Sequence, residues 1–163
     1  MKRIGVLAFH GDVIEHIQAT REAAKKLDLP IDLIEVRTKE QVKAIFGTCA
    51  GAIILAKKTL HKEAGQETLE LMDMTIDRNA YGRQTESFEQ KIGTKLGPME
   101  AVFIRAPKII SVGSGVTILA KNNSEIIACE QRSDGKFYLA TCFHPELTIT
   151  KFHEYFLKQI YGN

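Results

Sequence analysis

Gly47-Thr48-Cys49-Ala50-Gly51 has the form G-x-C-x-G and stands between two apolar runs, Lys43–Phe46 and Ala52–Ala56. The first run reads as a short strand and the second as the opening of a helix, so the cysteine falls on a strand-to-helix turn. That is the setting of a nucleophile elbow, in which a sharp turn lifts the side chain above the sheet edge. Flanking glycines let neighbouring backbone approach closely. A helix starting at the turn aims free N–H groups and its positive end at the sulfur, which favours thiolate. The N–H of Ala50, the residue after the nucleophile, is placed to donate to an oxyanion. Taken alone, the pentapeptide also reads as a buried cysteine in a glycine-flanked turn.

Its chemical context lies near the other end of the chain, in Phe143-His144-Pro145-Glu146. This segment follows an apolar strand, Phe137–Phe143, and is expected at the same sheet edge as the elbow. In an extended segment, residues i and i+2 point the same way. Glu146 is therefore expected to hold one nitrogen of His144 while the other faces the thiol. A thiol, an imidazole titrating near neutrality and an orienting carboxylate form a Cys-His-Glu triad.

The elements that must position these groups follow from periodicity. Arg3–Phe9 reads as a buried strand broken by His10-Gly11-Asp12, with Asp12 as a helix cap. Val13, Ile17, Thr20, Ala24 and Leu27 recur at helical spacing, so Val13–Leu27 is an amphipathic helix ended by Leu29-Pro30. Ile31–Val36 is a second strand, and the strand-helix-strand order favours a parallel unit. Glu67–Asp77, Val102–Ile104, Val116–Ala120, Glu125–Glu130 and Phe137–Phe143 are further strand candidates. Ser133-Asp134-Gly135 joins the last two as a hairpin. Ile149, Phe152, Phe156 and Ile160 fit a closing helix.

Composition narrows the class. The chain has 163 residues, 44% of them apolar, which suits one domain, 1–163. With 22 basic against 20 acidic residues, the net charge of +2 gives no electrostatic reason for a nucleic-acid or membrane-surface partner. The longest apolar stretches are about five residues, far short of the roughly 20 that a membrane helix needs. The opening Met1-Lys2-Arg3 and its short apolar run do not form a signal-peptide core. Three cysteines, Cys49, Cys129 and Cys142, cannot all pair within the chain, and none has C-x-x-C spacing. Together these features predict a cytoplasmic protein in a reducing compartment. Cys129 and Cys142 are expected in the core, and His16, His61 and His153 on the surface or as caps.

At this point the residues show a resemblance. Gly47-Thr48-Cys49-Ala50-Gly51 with Ile53–Lys57 resembles part of the glutaminase subunit of pyridoxal 5'-phosphate synthase, a triad-type (class I) glutamine amidotransferase. So do Arg78-Asn79-Ala80-Tyr81-Gly82-Arg83-Gln84 with Ser87-Phe88-Glu89, Phe103-Ile104-Arg105-Ala106-Pro107, and Phe143-His144-Pro145-Glu146-Leu147-Thr148. Gly5-Val6-Leu7, Gly11-Asp12-Val13 and Glu15-His16 match as well, so the similarity spans essentially the whole chain. The resemblance implies a three-layer α/β domain with a mostly parallel, doubly wound, flavodoxin-like sheet. It implies hydrolysis of L-glutamine to glutamate and ammonia, with the ammonia passed to a barrel-shaped synthase subunit, and no metal or organic cofactor. Residue by residue, Cys49 matches the nucleophile, His144 the acid/base and Glu146 its orienter. Arg78 matches an arginine near the polar end of bound glutamine, and Ile104 and Arg105 match another part of that site. A forked guanidinium suits an α-carboxylate. Arg83 is expected to be structural.

Two departures from the family stand out. Relatives carry a further strand before the elbow, ending in a Pro-Gly-Gly-Glu-Ser turn and followed by a helix; that turn helps bind glutamine and supplies a second oxyanion donor. Here Arg37–Val42 runs almost directly into Lys43–Phe46, and the chain has no Gly-Gly pair. A strand-helix unit of roughly 30 residues or more is therefore missing near 42–44. Either the natural protein retains this unit, or it is deleted and the protein is inactive; an intact mass near 18.2 kDa would reject the first idea. The second departure is His10, where relatives commonly carry glutamine. Two other functions stay open: a non-catalytic subunit that only docks on the synthase, and a cysteine hydrolase of the same fold acting on peptides or γ-glutamyl conjugates.

Overall fold

The computed structural model describes residues 2–7, 13–36, 44–62, 64–80 and 87–162. The chain divides into two compact units, Met1–Val42 with Pro145–Asn163, and Lys43–His144.

In the first unit, β1 (Lys2–Leu7) and β2 (Ile31–Val36) pair in parallel, joined by α1 (Val13–Lys26). This is the strand-helix-strand unit expected from the sequence; the Asp12 cap and His10 lie outside the described residues. Leu29-Pro30 does not stop α1. Asp28 does, adopting φ 51°. The Leu29 N–H then donates to Ala24 O at 2.9 Å and the Asp28 N–H to Lys25 O at 3.2 Å, the two reversed bonds of a Schellman cap. After a 3₁₀ turn, Pro145–Leu147, the closing helix α3 (Lys151–Tyr161) ends on left-handed Gly162. Ile4, Ala23, Ala24 and Leu157 form the core of this unit, with Leu27, Leu33 and Ile160 packed against them. Small residues on α1 allow close approach to α3, and the larger side chains of α3 and the strands fill the space.

The second unit is built on strands. They are β3 (Ala44–Thr48), β4 (Ala56–Leu60), β5 (Met72–Asp77), β6 (Phe88–Ile92), β7 (Met99–Phe103), β8 (Lys108–Val112), β9 (Val116–Asn122), β10 (Glu125–Ser133) and β11 (Lys136–Thr141). Its helix is α2 (Ala50–Leu55). The main sheet runs β3-β11-β10-β8-β5-β4, with β9 on β10. β6 pairs with β7 separately. β11 is buried from Phe137 to Thr141, as suits a strand with neighbours on both edges.

The α/β class expected from the sequence holds, with one correction to the sheet. Pairs β1–β2, β3–β11 and β4–β5 are parallel, whereas β11–β10, β10–β9, β10–β8, β8–β5 and β6–β7 are antiparallel. The sheet is thus mixed rather than mostly parallel. Short strands joined by tight turns must return antiparallel, because a parallel return needs a long crossover. The hairpin at Ser133-Asp134-Gly135 forms as expected, with Asp134 and Gly135 at φ 52° and 71° and Ser133 opposite Lys136. β4, β6 and β8 carry no clear alternation in sequence and were not expected; α2 stops at Leu55 and gives way directly to β4.

Candidate active site

β3 and β11 run in parallel, with Gly47 opposite Ala140 and Thr48 opposite Thr141. Both strands therefore end at the same rim. Cys49 is the next residue after β3, and His144 lies three residues beyond β11. The rim shared by the elbow and the histidine, expected from sequence, is present. The ladder continues for one more bond, from the Cys49 N–H to Thr141 O at 2.8 Å.

Cys49 has φ 48° and ψ −105°, a conformation strained for any residue with a side chain. Its surroundings hold it there. β11 fixes its N–H, and its carbonyl accepts from Ala52 N at 3.1 Å and Ile53 N at 3.3 Å, closing the first turn of α2. Gly47 makes the turn possible, because a Cβ there would lie 2.6 Å from the backbone carbonyl carbon and oxygen of Gly51. Gly51 itself has open space where a Cβ would go. Ala50 opens α2, whose first N–H groups have no acceptor within the helix. With six residues, α2 adds only a modest dipole.

His144 is buried, and its N–H donates to Val102 O at 2.8 Å, which ties it to the end of β7. The tilted ring pair Phe103–Phe143, 5.8 Å between centroids, packs the same junction. The fully buried Thr141 hydroxyl donates to Phe143 O at 3.0 Å and shapes the bend that leads to His144. β7 then runs into Ile104 and Arg105. The Cys49 thiol donates to Ile104 O at 3.6 Å, and Arg105, at φ 46°, is exposed beside it in sequence. The structure thus gathers Cys49, Ala50, Ile104 and Arg105 with the backbone that carries His144.

Arg78 reaches the same rim by a longer route. The pairs Thr141–Ala128, Ile126–Ile109 and Lys108–Asp77 step across the sheet to the end of β5, where Arg78 follows. Three strand spacings amount to roughly 14 Å. Its guanidinium Nη1 donates to Gln66 Oε1 at 2.8 Å. The turn bearing Arg78 is pinned by Asp77, whose Oδ1 is 2.8 Å from His61 Nδ1 and accepts from Asn79 N at 2.9 Å. The His61 hydrogen bond, helped by that of Asn79, holds the Asp77 carboxyl below its usual value against the opposing effect of burial. Arg83 lies outside the described residues.

Cys129 and Cys142 are core residues, as expected. Burial, with Glu130 nearby, pushes the Cys129 thiol up to about 12, and burial raises Cys142 further. Neither is a nucleophile at neutral pH.

Glu146 belongs to the other unit, and its backbone is not the extended segment expected. Pro145–Leu147 is a 3₁₀ turn, so the i, i+2 rule for extended backbone does not apply. Proline fixes φ near the helical value and starts the turn. The Glu146 side chain is fully buried, with Oε1 3.5 Å from His16 Nε2 on α1. His16 Nδ1 in turn lies 3.3 Å from His153 Nε2 on α3. His153, expected at the surface, is 3% exposed. Burial, and then the neighbouring His16, lower its pKa to about 3 against the opposing pull of Glu146, so it is neutral at physiological pH. Its spacing with Leu157 and Ile160, at i, i+4 and i+7, was the available signal that it shares their buried face.

Among the described residues no group of three or more His, Cys, Asp or Glu side chains is arranged to hold a metal ion, and no helix is long and apolar enough to cross a membrane.

Comparison with known proteins identifies the fold and the family. A crystal structure of a glutamine amidotransferase superposes with a TM-score of 0.76 at 36% identity, covering 94% of this chain and 96% of the other. The glutaminase domain of Trypanosoma brucei CTPS, solved with bound acivicin, matches at TM-score 0.67 over all of this chain and 95% of the other; at 13% identity this shows the fold alone. Pyridoxal 5'-phosphate synthase subunit PdxT of Korarchaeum cryptofilum is 36% identical over 197 positions, 97% of this chain and 98% of the relative. The Oenococcus oeni protein of the same name is 41% identical over 190 positions, covering 96% and 95%. Since 97% of 163 residues is about 158, about 39 of the 197 aligned positions are filled only in the K. cryptofilum protein; the same reckoning gives about 34 for O. oeni. The profile of the SNO glutamine amidotransferase family matches residues 24–162. The chain belongs to the SNO glutamine amidotransferase family.

Proposed function

We propose that this chain is the glutaminase subunit of a pyridoxal 5'-phosphate synthase. It hydrolyses L-glutamine to L-glutamate and ammonia, and hands the ammonia to a barrel-shaped synthase subunit in a hetero-oligomer. The observation that carries the reading is the strained Cys49 turn at the end of β3, held by β11, the strand that leads to His144. The Cys49 thiolate attacks the carboxamide carbon of glutamine. The tetrahedral oxyanion takes a hydrogen bond from the Ala50 amide. His144, having accepted the thiol proton, gives it to the departing nitrogen, and ammonia leaves a glutamyl thioester. His144 then takes a proton from water as the water attacks the thioester; glutamate departs and the thiol is restored. Glu146 orients His144. Ile104, Arg105 and Arg78 bind the amino-acid end of glutamine, the arginines facing its α-carboxylate.

The positions that relatives have and this chain lacks are assigned to one strand-helix unit near residues 42–44, within a single amidotransferase domain spanning 1–163. Only residues 37–43 separate β2 from β3. The missing unit would carry the second oxyanion donor, and loss of one donor typically costs about 100- to 1000-fold in rate. That loss favours a second reading, a subunit that docks on the synthase without turning glutamine over. An ammonia-release assay with L-glutamine, with and without the synthase subunit, separates the two. Turnover that Cys49→Ala abolishes supports the glutaminase; no turnover in the complex leaves the docking subunit.

A further inference from the structure

The guanidinium of Arg78 is held by a residue that the proposed chemistry does not use. Nη1 donates to Gln66 Oε1 at 2.8 Å in a partly buried contact. Gln66 is not placed by the sheet. It lies between β4 and β5, directly after Gly65, whose φ of 80° turns the chain. The segment after Gln66 is latched to α2: the Leu69 N–H donates to Ile54 O at 2.7 Å and the Leu71 N–H to Leu55 O at 3.0 Å. Carbonyls in the last turn of a helix have no acceptor role within it, so these bonds satisfy groups that α2 itself leaves over. α2 begins directly after Cys49. One helix of six residues therefore carries the elbow at its start and, at its end, anchors the segment that bears Gln66. The backbone of Arg78 is set independently, by the Asp77 carboxylate with its bonds to Asn79 N and His61.

A guanidinium is a rigid planar fork on a flexible stem, so an acceptor on one terminal nitrogen fixes the plane of the whole fork. Here that acceptor is a carboxamide oxygen. It directs the fork without bringing a unit of negative charge to it. A carboxylate in the same place would make a stronger, charge-assisted bond and compete with an anionic ligand for the arginine.

We propose that Gln66 is a positioning residue for substrate recognition: its amide oxygen orients the Arg78 fork toward the α-carboxylate of glutamine while adding no negative charge of its own. This rests on the reading of Arg78 as a carboxylate-binding residue of the glutaminase.

The test uses the full chain with its synthase partner. Gln66→Met keeps the length of the side chain and removes the acceptor; Gln66→Glu keeps the acceptor and adds a charge. For ammonia release, KM for L-glutamine is expected to rise about 3- to 10-fold in Gln66→Met and further in Gln66→Glu, with kcat within about twofold in both. A merely structural contact predicts the reverse order, with Gln66→Glu like the wild type. Gln66→Glu keeps the hydrogen bond, so it carries the test should Gln66→Met fail to fold. In an Arg78→Ala background neither substitution should raise KM further. Wild-type KM in Gln66→Glu, or additive losses in the double variants, would overturn the proposal. An unchanged KM in Arg78→Ala would remove the reading of Arg78 together with this proposal. A raised KM in Arg78→Ala beside unchanged Gln66 variants would remove this proposal alone. If the complex does not turn glutamine over, the calorimetric Kd for L-glutamine takes the place of KM with the same expected order. Absence of glutamine binding by the wild-type complex would remove the glutaminase reading and this proposal together.

Discussion

The two glycines of the elbow look equivalent in sequence, and the structure predicts opposite outcomes when each is replaced by alanine. A Cβ on Gly47 would stand 2.6 Å from both the carbonyl carbon and oxygen of Gly51 and 2.8 Å from Leu55 Cδ1. Ordinary contact begins near 3.4 Å, so the first turn of α2 must retreat by nearly 1 Å or β3 must shift. The obstructing atoms are mainly backbone, pinned by the bonds from Ala52 and Ile53 to Cys49 O. Overpacking of this kind costs about 1–3 kcal/mol, and rigid backbone puts Gly47→Ala at the upper end. At about 2–4 °C per kcal/mol for a chain of this size, the melting temperature should drop by roughly 6–12 °C. Gly51 lies within α2 with nothing within 4 Å of its would-be Cβ. Alanine there meets no obstacle and gains up to about 1 kcal/mol in helix propensity. Its melting temperature should stay level or rise by roughly 2–4 °C. Thermal unfolding followed by far-UV circular dichroism measures both. A Gly47→Ala protein that melts with the wild type, or a Gly51→Ala protein as damaged as Gly47→Ala, would refute the assignment of the close approach to Gly47.

Three further outcomes follow from the same coordinates. His153 has a folded pKa of about 3 against 6.5 in the unfolded chain, so the unfolded state takes up the proton first and stability falls as pH drops below 6.5, levelling near pH 3. With a slope that rises to about 1.4 kcal/mol per unit below the unfolded pKa, this group alone costs about 1.6 kcal/mol between pH 6.5 and 5. Urea unfolding of His153→Phe at the two pH values should show a pH dependence smaller by about that amount, and an unchanged dependence would exclude a neutral buried His153. Iodoacetamide at pH 8 should label Cys49 alone in the folded protein, with Cys129 and Cys142 reacting only after denaturation; peptide mass spectrometry detecting either buried thiol in the native sample would contradict their burial. Thr141→Val keeps the shape but removes the bond to Phe143 O, and should cost about 1–3 kcal/mol in chemical denaturation, with a loss below about 0.5 kcal/mol arguing that the bend before His144 does not depend on it.

The sequence by itself determined what rests on neighbours along the chain. The elbow at Cys49, the strand-helix-strand opening, the turn at Asp134-Gly135 and the closing helix are each written in a few consecutive residues, because turn chemistry and periodicity act over short range. Tertiary structure alone decided the partners. An apolar run such as Phe137–Phe143 announces burial but not that it lies between β3 and β10, the placement that brings His144 to the rim of Cys49. Of the two elbow glycines, only Gly47 faces backbone, a matter of where α2 turns back. His16 and His153 looked like surface residues, since a histidine is polar in any list of side chains. Burial of one beside the other, next to Glu146, exists only because the small residues of α1 let α3 pack close to it, and no local pattern encodes that approach.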